Sequence, residues 1–392
     1  MRNIPSDRYR NGTLFVKRHQ TEQKSTRSYG MLSIVLLIYG IGNSQDVSTI
    51  YKTLYKFHAL FMHLMPVYIT SRYILLWFHS PIELELVFGC IVSCVFPFAL
   101  HYSLISKRHD LKWLIKHYCK LDVFQRKTSK SCKAMKINVA IATILIVPMV
   151  LSIVSTLSMV PDMPYSRSYT YLIDIRDETL EVSLRFVAVH MICAYLYTFP
   201  CIIAVMCSVI YHEFSQFLHR FHESLERHCS SLSRNKILQH MKMHTALFKL
   251  AHHVQDTLSS PCFFLLCTQL TVMFYTIAVF VLRNYQTIPV ALICRALMIL
   301  LMTPASVIAV VLYATRINAC CEKIETEIKL LNDKLIVHGL CDEDTLCYLN
   351  SMNEKQFPVM SACGVTELKP NVTLRMFGSL FSYSLLILNL KN

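Results

Sequence analysis

Long apolar stretches constrain this chain more than any other feature of its sequence. A helix that crosses the hydrocarbon core of a bilayer needs about 20 mostly apolar residues. Stretches of that kind lie at 55–76, 83–106, 137–160, 185–211, 261–282 and 288–314. A further stretch, 372–390, is shorter and contains more hydroxyl groups. The sequence therefore predicts an all-α membrane protein with seven transmembrane helices.

The charged residues are few and unevenly placed. Only 16% of the residues are charged, against about 25% in soluble domains, yet the formal net charge is +14. The segments 1–29 and 107–136 contain seven and ten basic residues, with two acidic residues each, whereas 161–183 contains five acidic and two basic residues. Cytoplasmic loops of membrane proteins are enriched in Lys and Arg. We therefore expect the N-terminus inside and the C-terminus outside, with cytoplasmic segments at 107–136, 212–260 and 315–371.

This interpretation argues against two classes of function. The basic surplus marks orientation rather than a surface for nucleic acid, so we expect no nucleic-acid partner. A G-protein-coupled receptor would have the opposite orientation, and the sequence has neither D-R-Y after its third span nor N-P-x-x-Y anywhere. That class is therefore a remote alternative.

We expect four parts along the chain. They are a cytoplasmic N-terminal segment with an interfacial apolar stretch, a six-helix transmembrane bundle that includes a cytoplasmic helical extension, a cytoplasmic helical anchor region and a seventh helix. The N-terminal segment covers 1–54, with its interfacial stretch at 30–42. The transmembrane bundle covers 55–314, with its cytoplasmic extension at 212–260. The anchor region covers 315–371 and the seventh helix covers 372–392.

Two helices are predicted to continue past the membrane into the cytoplasm. Apolar side chains alternate at spacings of three and four in both, which is the pattern of a helix-packing seam. The first seam comprises Phe214, Leu218, Phe221, Leu225, His228 and Leu232, and the second comprises Ile317, Cys321, Ile324, Ile328, Leu331 and Leu335. The seams predict packing within one chain, assembly between chains, or both.

Histidines are concentrated in one cytoplasmic segment. Eight of the 17 lie in 212–253, and His240 and His244 share one helix face. A His-rich membrane enzyme would need such clusters on several helices, and no H-E-x-x-H zinc motif is present. We expect solvated or interfacial histidines, with no metal site, no cofactor and no catalytic residue.

Ionisable and polar side chains in the outer halves of the spans are candidates for a ligand pocket. A buried charge in a membrane faces the bundle interior or a water-filled cavity. Such side chains either pair for structural reasons or form a small-molecule pocket with apolar walls. The candidates are Ser155, Thr156, His190, Tyr195, Phe274, Tyr275 and Arg295.

The last helix has one stripe with several polar members. Arg375, Ser379, Ser382, Leu386 and Asn389 follow one another at spacings of four and three. Polar groups on a transmembrane helix must face protein or water. The stripe therefore predicts either packing into the chain's own core or, in an oligomer, the wall of a pore with Leu386 as an apolar constriction.

The end of this helix resembles the signature of the insect gustatory receptors, T-Y-h-h-h-h-h-Q-F, in which h is hydrophobic. Tyr383 matches the signature, Ser382 stands for Thr, Asn389 for Gln and Leu390 for Phe. The preceding segment, 361–368, is also similar to the family's approach to that helix.

The resemblance implies a ligand-gated, non-selective cation channel for small-molecule tastants in the plasma membrane of a chemosensory neuron. It implies a homo- or heterotetramer with other gustatory subunits, surrounded by lipid. The gate would fall on Leu386, Asn389 and Leu390, with Tyr383 about one turn away and Ser382 and Ser379 further along the pore helix. Ser384 stands where the sugar-receptor branch tends to have Glu, which favours a bitter or unassigned branch. The nearest alternative is an odorant receptor subunit.

Overall fold

Seven long helices dominate the chain. The computed structural model describes residues 49–79, 84–115, 130–159, 164–173, 175–228, 234–282, 290–337 and 343–391. The helices are α1 Thr49–His79, α2 Leu84–Ser106, α3 Lys130–Leu157, α4 Glu178–His228, α5 Arg234–Leu282, α6 Val290–Val337 and α7 Pro370–Lys391. The interfacial stretch expected at 30–42 lies outside the described residues.

Six of these helices, α1 to α6, each contain a stretch that is long and apolar enough to cross a membrane. The seventh helix, α7, has 22 residues and is not among those six. The helical ranges of α4, α5 and α6 that contain these spans are 50, 47 and 46 residues long. A helix needs only about 20 residues to cross a bilayer, so these three are long enough to continue beyond it. The predicted all-α, seven-helix architecture, with helices that extend past the membrane, is confirmed.

Two compact units are present. In the smaller, which includes 105–144, Leu111, Leu114 and Ile141 are fully buried. The larger includes 62–104 and 145–391 and contains all of the sites described below.

The core of the larger unit is the packing of α4 against α6. On α4, the seam residues Phe214, Leu218 and Phe221 are fully buried, and on α6 Ile317 and Ile324 are also fully buried. The two seams predicted from the sequence thus pack within one chain. The side chains of His228 and Leu232, at the end of the first seam, lie outside the described part.

A π-helical segment, Ala194–Thr198, interrupts α4 within the membrane-spanning region. It lies directly before Pro200, which has no N–H to donate to the preceding turn. Single π turns of this kind accommodate such a break and are frequent at functional sites. The segment brings Tyr195 and Tyr197 into fully or nearly fully buried positions.

A small hairpin precedes α7. A short helix, Glu343–Asn353, leads to strands β1 Ser361–Ala362 and β2 Thr366–Glu367, which pair antiparallel. At the turn Cys363 and Gly364 have φ of 52° and 68°, and Val365 N–H donates to the Ala362 carbonyl at 3.0 Å. Two successive positive φ angles are typical of a type I′ turn.

The hairpin is hydrogen-bonded to α5 and α6. Gln255 of α5 accepts from Ser361 N–H at 3.0 Å and donates to the Ser361 hydroxyl at 2.6 Å and carbonyl at 3.2 Å. On α6, Asn318 Oδ1 accepts from Met360 N–H at 2.9 Å, and Thr315 donates to the Leu368 carbonyl at 3.2 Å. The start of α7 is therefore fixed to two helices through this hairpin.

The contacts of Gln255 predict a graded loss of stability. Gln255→Leu removes its three hydrogen bonds to the hairpin, at about 1 kcal/mol each, so we expect a loss of about 3 kcal/mol. Ser361→Ala removes one acceptor and should cost about 1 kcal/mol. Thermal unfolding of the purified protein checks the order. The control is Asp256→Ala at the exposed neighbouring position, and a fall in Tm as large as that of Gln255→Leu would contradict the role of the hairpin.

The expected orientation predicts a glycosylation pattern. Asn11 and Asn371 begin N-x-T sequences on the side predicted to be cytoplasmic, so neither should be glycosylated in a eukaryotic cell. Asp177→Asn places a new acceptor before Thr179 in the acidic loop. Because Asp177 caps α4 through Thr179 N–H at 2.9 Å and Asn caps equally well, the fold should be retained.

The measurement is the shift in gel mobility on treatment with a glycosidase. We expect a shift for Asp177→Asn alone. Glycan on Asn11 in the unaltered chain would show that the N-terminus lies outside and would contradict the expected orientation.

Candidate functional site

A short turn in the acidic outer loop packs on α1. It consists of a helical turn, Pro164–Arg167, and a 3₁₀ turn, Ser168–Thr170, whose residues are buried. Tyr68 of α1 donates to the Tyr169 carbonyl at 2.9 Å, and Arg72 Nε donates to the Ser168 hydroxyl at 3.0 Å. These long-range bonds hold the loop over the end of the bundle.

Arg72 lies inside a group of tyrosines. Its side chain is 0% exposed, and its guanidinium carbon is 3.6 Å from the ring centroid of Tyr169, 5.1 Å from that of Tyr165 and 5.3 Å from that of Tyr73. Cations over tyrosine faces are attracted by the ring quadrupole. The terminal nitrogens Nη1 and Nη2 are buried and have no hydrogen-bond partner among the described residues.

Arg295 of α6 belongs to the same polar cluster. Its Nε donates to the Tyr197 hydroxyl at 2.5 Å, and its guanidinium lies 5.4 Å from that ring centroid. Tyr197 is in the π-helical segment of α4. Within the part of the chain that the structure describes, neither Arg72 nor Arg295 has a carboxylate within ion-pair distance.

The tyrosines of the outer loop respond to these two positive charges. Burial raises the pKa of the Tyr169 phenol, against the opposing influence of Arg72. At Tyr165 burial also acts to raise the pKa, but the charges of Arg72 and Arg295 and hydrogen bonding from Tyr169 and Arg72 together outweigh it, so the pKa of Tyr165 is lowered. The position of Tyr165 thus favours a negative charge.

A cavity lies between this cluster and the apolar side chains of the bundle. Its empty space is about 370 Å³, which includes open solvent, and the part that a water-sized probe can enter has room for about one water molecule. It is lined by Leu151, Ser155, Tyr165, Tyr169, Val189, Ile192, Cys193, Arg295 and Met298. Apolar walls with a few polar groups are typical of a small-molecule site, although this one is narrow in the described conformation.

The predicted pocket residues are only partly brought together. Ser155 and Arg295 line the cavity. Tyr275 donates to the Tyr73 hydroxyl at 2.7 Å and so adjoins the cluster. Thr156 lies one residue beyond Ser155 but donates to the carbonyl of Ser152 on its own helix at 2.8 Å.

The other three candidates lie elsewhere. His190 stacks on Phe186 with ring centroids 5.9 Å apart. Tyr195 donates to the Cys94 carbonyl at 2.8 Å, and Phe274 packs against Tyr383 of α7 at 4.9 Å. Placement in the outer half of a span does not fix helix rotation, so these side chains face neighbours other than the cavity.

Arg72, Tyr165 and Tyr169 are not among the pocket residues predicted from the sequence. Arg72 was visible as an arginine within an apolar stretch, which is by itself a signal of a functional position. The two tyrosines gave no such signal, because their contacts with Arg72 join residues about 100 positions apart in the chain. Only the three-dimensional fold reveals this cluster.

The helix α7 has one packed face and one exposed polar face. Leu380 is 4% exposed, and Ser384 donates to the Leu380 carbonyl at 2.7 Å. The stripe predicted from the sequence, comprising Arg375, Ser379, Ser382, Leu386 and Asn389, is exposed throughout. The alternative in which the stripe packs into the chain's own core is therefore wrong.

The histidine-rich segment does not resemble a metal centre. His244 is 0% exposed and contacts Phe221 and Phe357, with its ring centroid 5.0 Å from that of Phe357. The expectation of a solvated or interfacial histidine is wrong for His244, since this face of α5 packs on the seam of α4. Within the described ranges, no group of three or more His, Cys, Asp or Glu side chains is placed to bind a metal.

Comparison with known proteins identifies structural relatives alone. No family model and no curated protein matches the sequence. The insect olfactory receptor OR5 from Machilis hrabei, solved in complex with eugenol, matches with a TM-score of 0.62 at 13% identity over 95% of this chain and 99% of that one. Another structure of OR5 matches with a TM-score of 0.62 at 14% identity over 98% and 100%. The chain therefore has the seven-helix, all-α membrane fold of an insect olfactory receptor.

Proposed function

We propose that this chain is a gustatory receptor, a subunit of a ligand-gated, non-selective cation channel in the plasma membrane of a chemosensory neuron. Small-molecule tastants bind in the outer cavity, and α7 lines a pore shared by four subunits. The gustatory assignment is supported by the resemblance of 382–390 to the gustatory signature. The fold of an olfactory receptor supports the broader assignment to chemosensory channels.

The observation that carries the proposal is the exposed polar stripe of α7. Ser379, Ser382 and Asn389 are exposed on a helix whose opposite face is packed against the rest of the chain. Polar groups in the hydrocarbon region must face protein or water. A water-filled pathway lined by copies of this stripe meets that requirement.

The gate is proposed at the outer end of α7. Leu386 is 56% exposed and lies on the polar stripe, so copies of it around an axis form an apolar ring that excludes water. Asn389 and Leu390 follow within about one turn. Tyr383, one turn before, packs against Phe274 of α5 and couples the pore helix to the bundle.

The hairpin offers a path from ligand to gate. Its hydrogen bonds join the start of α7 to α5 and α6, and α6 also carries Arg295 in the outer cavity. A ligand that widens the cavity moves α6 and, through the hairpin, α7. The ligand class is bitter or unassigned rather than sugar, because Ser384 stands in the place of the sugar branch's Glu.

A second candidate is an odorant receptor subunit, favoured by the likeness to an olfactory receptor. The two are separated by current recording in a heterologous cell. A gustatory subunit expressed alone gives cation current with a dissolved tastant and without G-protein coupling. Current that needs a second olfactory subunit favours the odorant assignment, and a response that requires a G protein refutes the channel.

Leu386 provides a direct prediction for the gate. Full burial of a leucine side chain is worth about 1.5–3 kcal/mol, and Leu386→Ser removes that contribution from the closed ring. A change of about 1.4 kcal/mol shifts an equilibrium constant tenfold. We therefore expect the current in the absence of ligand to rise about tenfold or more. Whole-cell recording measures this leak, normalised to surface expression.

The matched control is Leu385→Ser. Leu385 is 48% exposed at the same depth, about 100° around the helix from Leu386. It should leave the leak unchanged. Equal leaks in the two variants would contradict the gate assignment.

Arg375 provides a prediction for ion selectivity. It is exposed at the other end of the stripe, where an arginine within the conduit would repel cations. We expect it to point towards interfacial water, so Arg375→Gln should leave the permeability ratios among cations and chloride unchanged. A large change measured by reversal potentials would place its charge in the pore.

A further inference from the structure

Two positive charges at the outer cavity have no carboxylate beside them within the described part of the chain. Arg72 is fully buried behind the lining residues Tyr165 and Tyr169, and neither of its terminal nitrogens has a hydrogen bond of normal geometry to a described residue; Arg295 lines the cavity itself. Their contacts are with tyrosine rings and hydroxyl groups, which are neutral unless ionised. Cation–π contacts compensate only a small part of the cost of removing a guanidinium from water.

A third buried arginine shows the usual solution. Arg185 of α4 is 2% exposed, and its guanidinium pairs with the carboxylate of Glu181 one turn before it. A buried charge in a protein is ordinarily paired in this way. The chain thus supplies a carboxylate where pairing has a structural purpose, whereas the described residues offer none to Arg72 or Arg295.

The tyrosines show that an anion would be stabilised here. Arg72 is 5.1 Å from the ring centroid of Tyr165, and Tyr165 lines the same cavity as Arg295. Tyr169 donates to the Tyr165 hydroxyl at 3.0 Å, which leaves the Tyr165 oxygen as an acceptor within the cluster. The opposite wall is apolar and includes Leu151, Val189, Ile192 and Met298.

We propose that the outer cavity, widened beyond its described volume, recognises an anionic group, a carboxylate or a phosphate. The group binds Arg295 on the cavity wall and Arg72, which lies behind the lining tyrosines Tyr165 and Tyr169, while the apolar part of the same molecule packs on the opposite wall. This proposal rests on the proposed function, since it names the chemical class of ligand for the same cavity. Guanidinium groups bind carboxylate and phosphate through paired hydrogen bonds. Binding to Arg72 requires the rings of Tyr165 and Tyr169 to move aside, since they lie between it and the cavity wall.

Two sources can provide such a group. A small organic acid enters from water with an acyl or aromatic body, whereas an anionic lipid enters from the surrounding leaflet. Both have the same chemistry at the arginines, so the membrane composition must be varied in the experiment. The full chain is purified and placed in nanodiscs of phosphatidylcholine alone or with phosphatidylglycerol.

The probes are hexanoate and phenylacetate, with their methyl esters as uncharged partners of similar shape. In phosphatidylcholine, both acids should raise the Tm of the full chain, and the esters should not. Arg72→Met and Arg295→Met should each weaken apparent acid affinity about tenfold or more, the loss expected for one charge-assisted hydrogen bond. Arg176→Gln, at an exposed position of the same outer loop, controls for general electrostatic attraction.

The Tm without added acid tests whether Arg72 serves to bind the ligand or to stabilise the fold. Replacing a buried, unpaired charge by an apolar side chain is often neutral or stabilising. Arg72→Met should therefore keep or raise the Tm of the acid-free protein while removing the response to acid. A variant that fails to fold would show that Arg72 is structural, and the comparison of acids with esters in the unaltered chain would then decide the proposal alone.

Each outcome has a definite meaning. Stabilisation by the acids in phosphatidylcholine assigns a small organic acid. Stabilisation by phosphatidylglycerol alone, lost in both arginine variants, assigns a lipid headgroup. Equal effects of acids and esters, or no response to any acid or to phosphatidylglycerol, overturns the proposal.

The readout does not depend on channel activity. A chain that binds acids but passes no current would refute the proposed channel and leave the anion site standing. A chain that conducts in response to neutral tastants, and whose Tm is unchanged by acids, would refute the anion site and support the proposed channel.

Discussion

The packing of α4 against α6 is the contact on which the other features of the larger unit depend. Seam side chains such as Phe214 and Ile324 are fully buried, so the two helices are fixed in rotation as well as in position. That rotation places Arg295 of α6, which lines the outer cavity, beside Tyr197 of α4. Further along α6 it also points Asn318 towards the hairpin that precedes α7. One apolar seam thus aligns the candidate ligand site and the support of the candidate pore helix.

Patterns that depend on neighbours in the chain could be predicted from the sequence. Apolar length predicted the seven helices, and spacings of three and four predicted the seams and the stripe of α7. Patterns that depend on distant neighbours could not. Arg72 contacts Ser168 and Tyr169 across nearly 100 residues, and the depth of Tyr195 in the membrane did not reveal that it faces Cys94. Of the seven candidate pocket residues only Ser155 and Arg295 line the outer cavity, because helix rotation is set by packing.

Polar groups in a membrane protein need hydrogen-bond partners or water, and this chain differs from place to place in whether it provides the partners itself. Most are satisfied internally, as Ser384 is by the Leu380 carbonyl and Arg185 is by Glu181. Arg72 beside the outer cavity and the exposed stripe of α7 are among those that are not, within the described part of the chain. The proposals above give Arg72 a ligand anion, and give the stripe water and further subunits.

The most direct test of this account is the accessibility of α7 to a water-soluble thiol reagent during ligand-evoked current. Single cysteines are placed along the helix, as in Asn389→Cys and Leu385→Cys, and block is compared with that of the unaltered chain. The account predicts block at Ser379, Ser382, Leu386 and Asn389, at spacings of three and four, and little at Leu374, Phe381 and Leu385. Block without that periodicity, or confined to the latter three positions, would contradict a pore lined by the polar stripe.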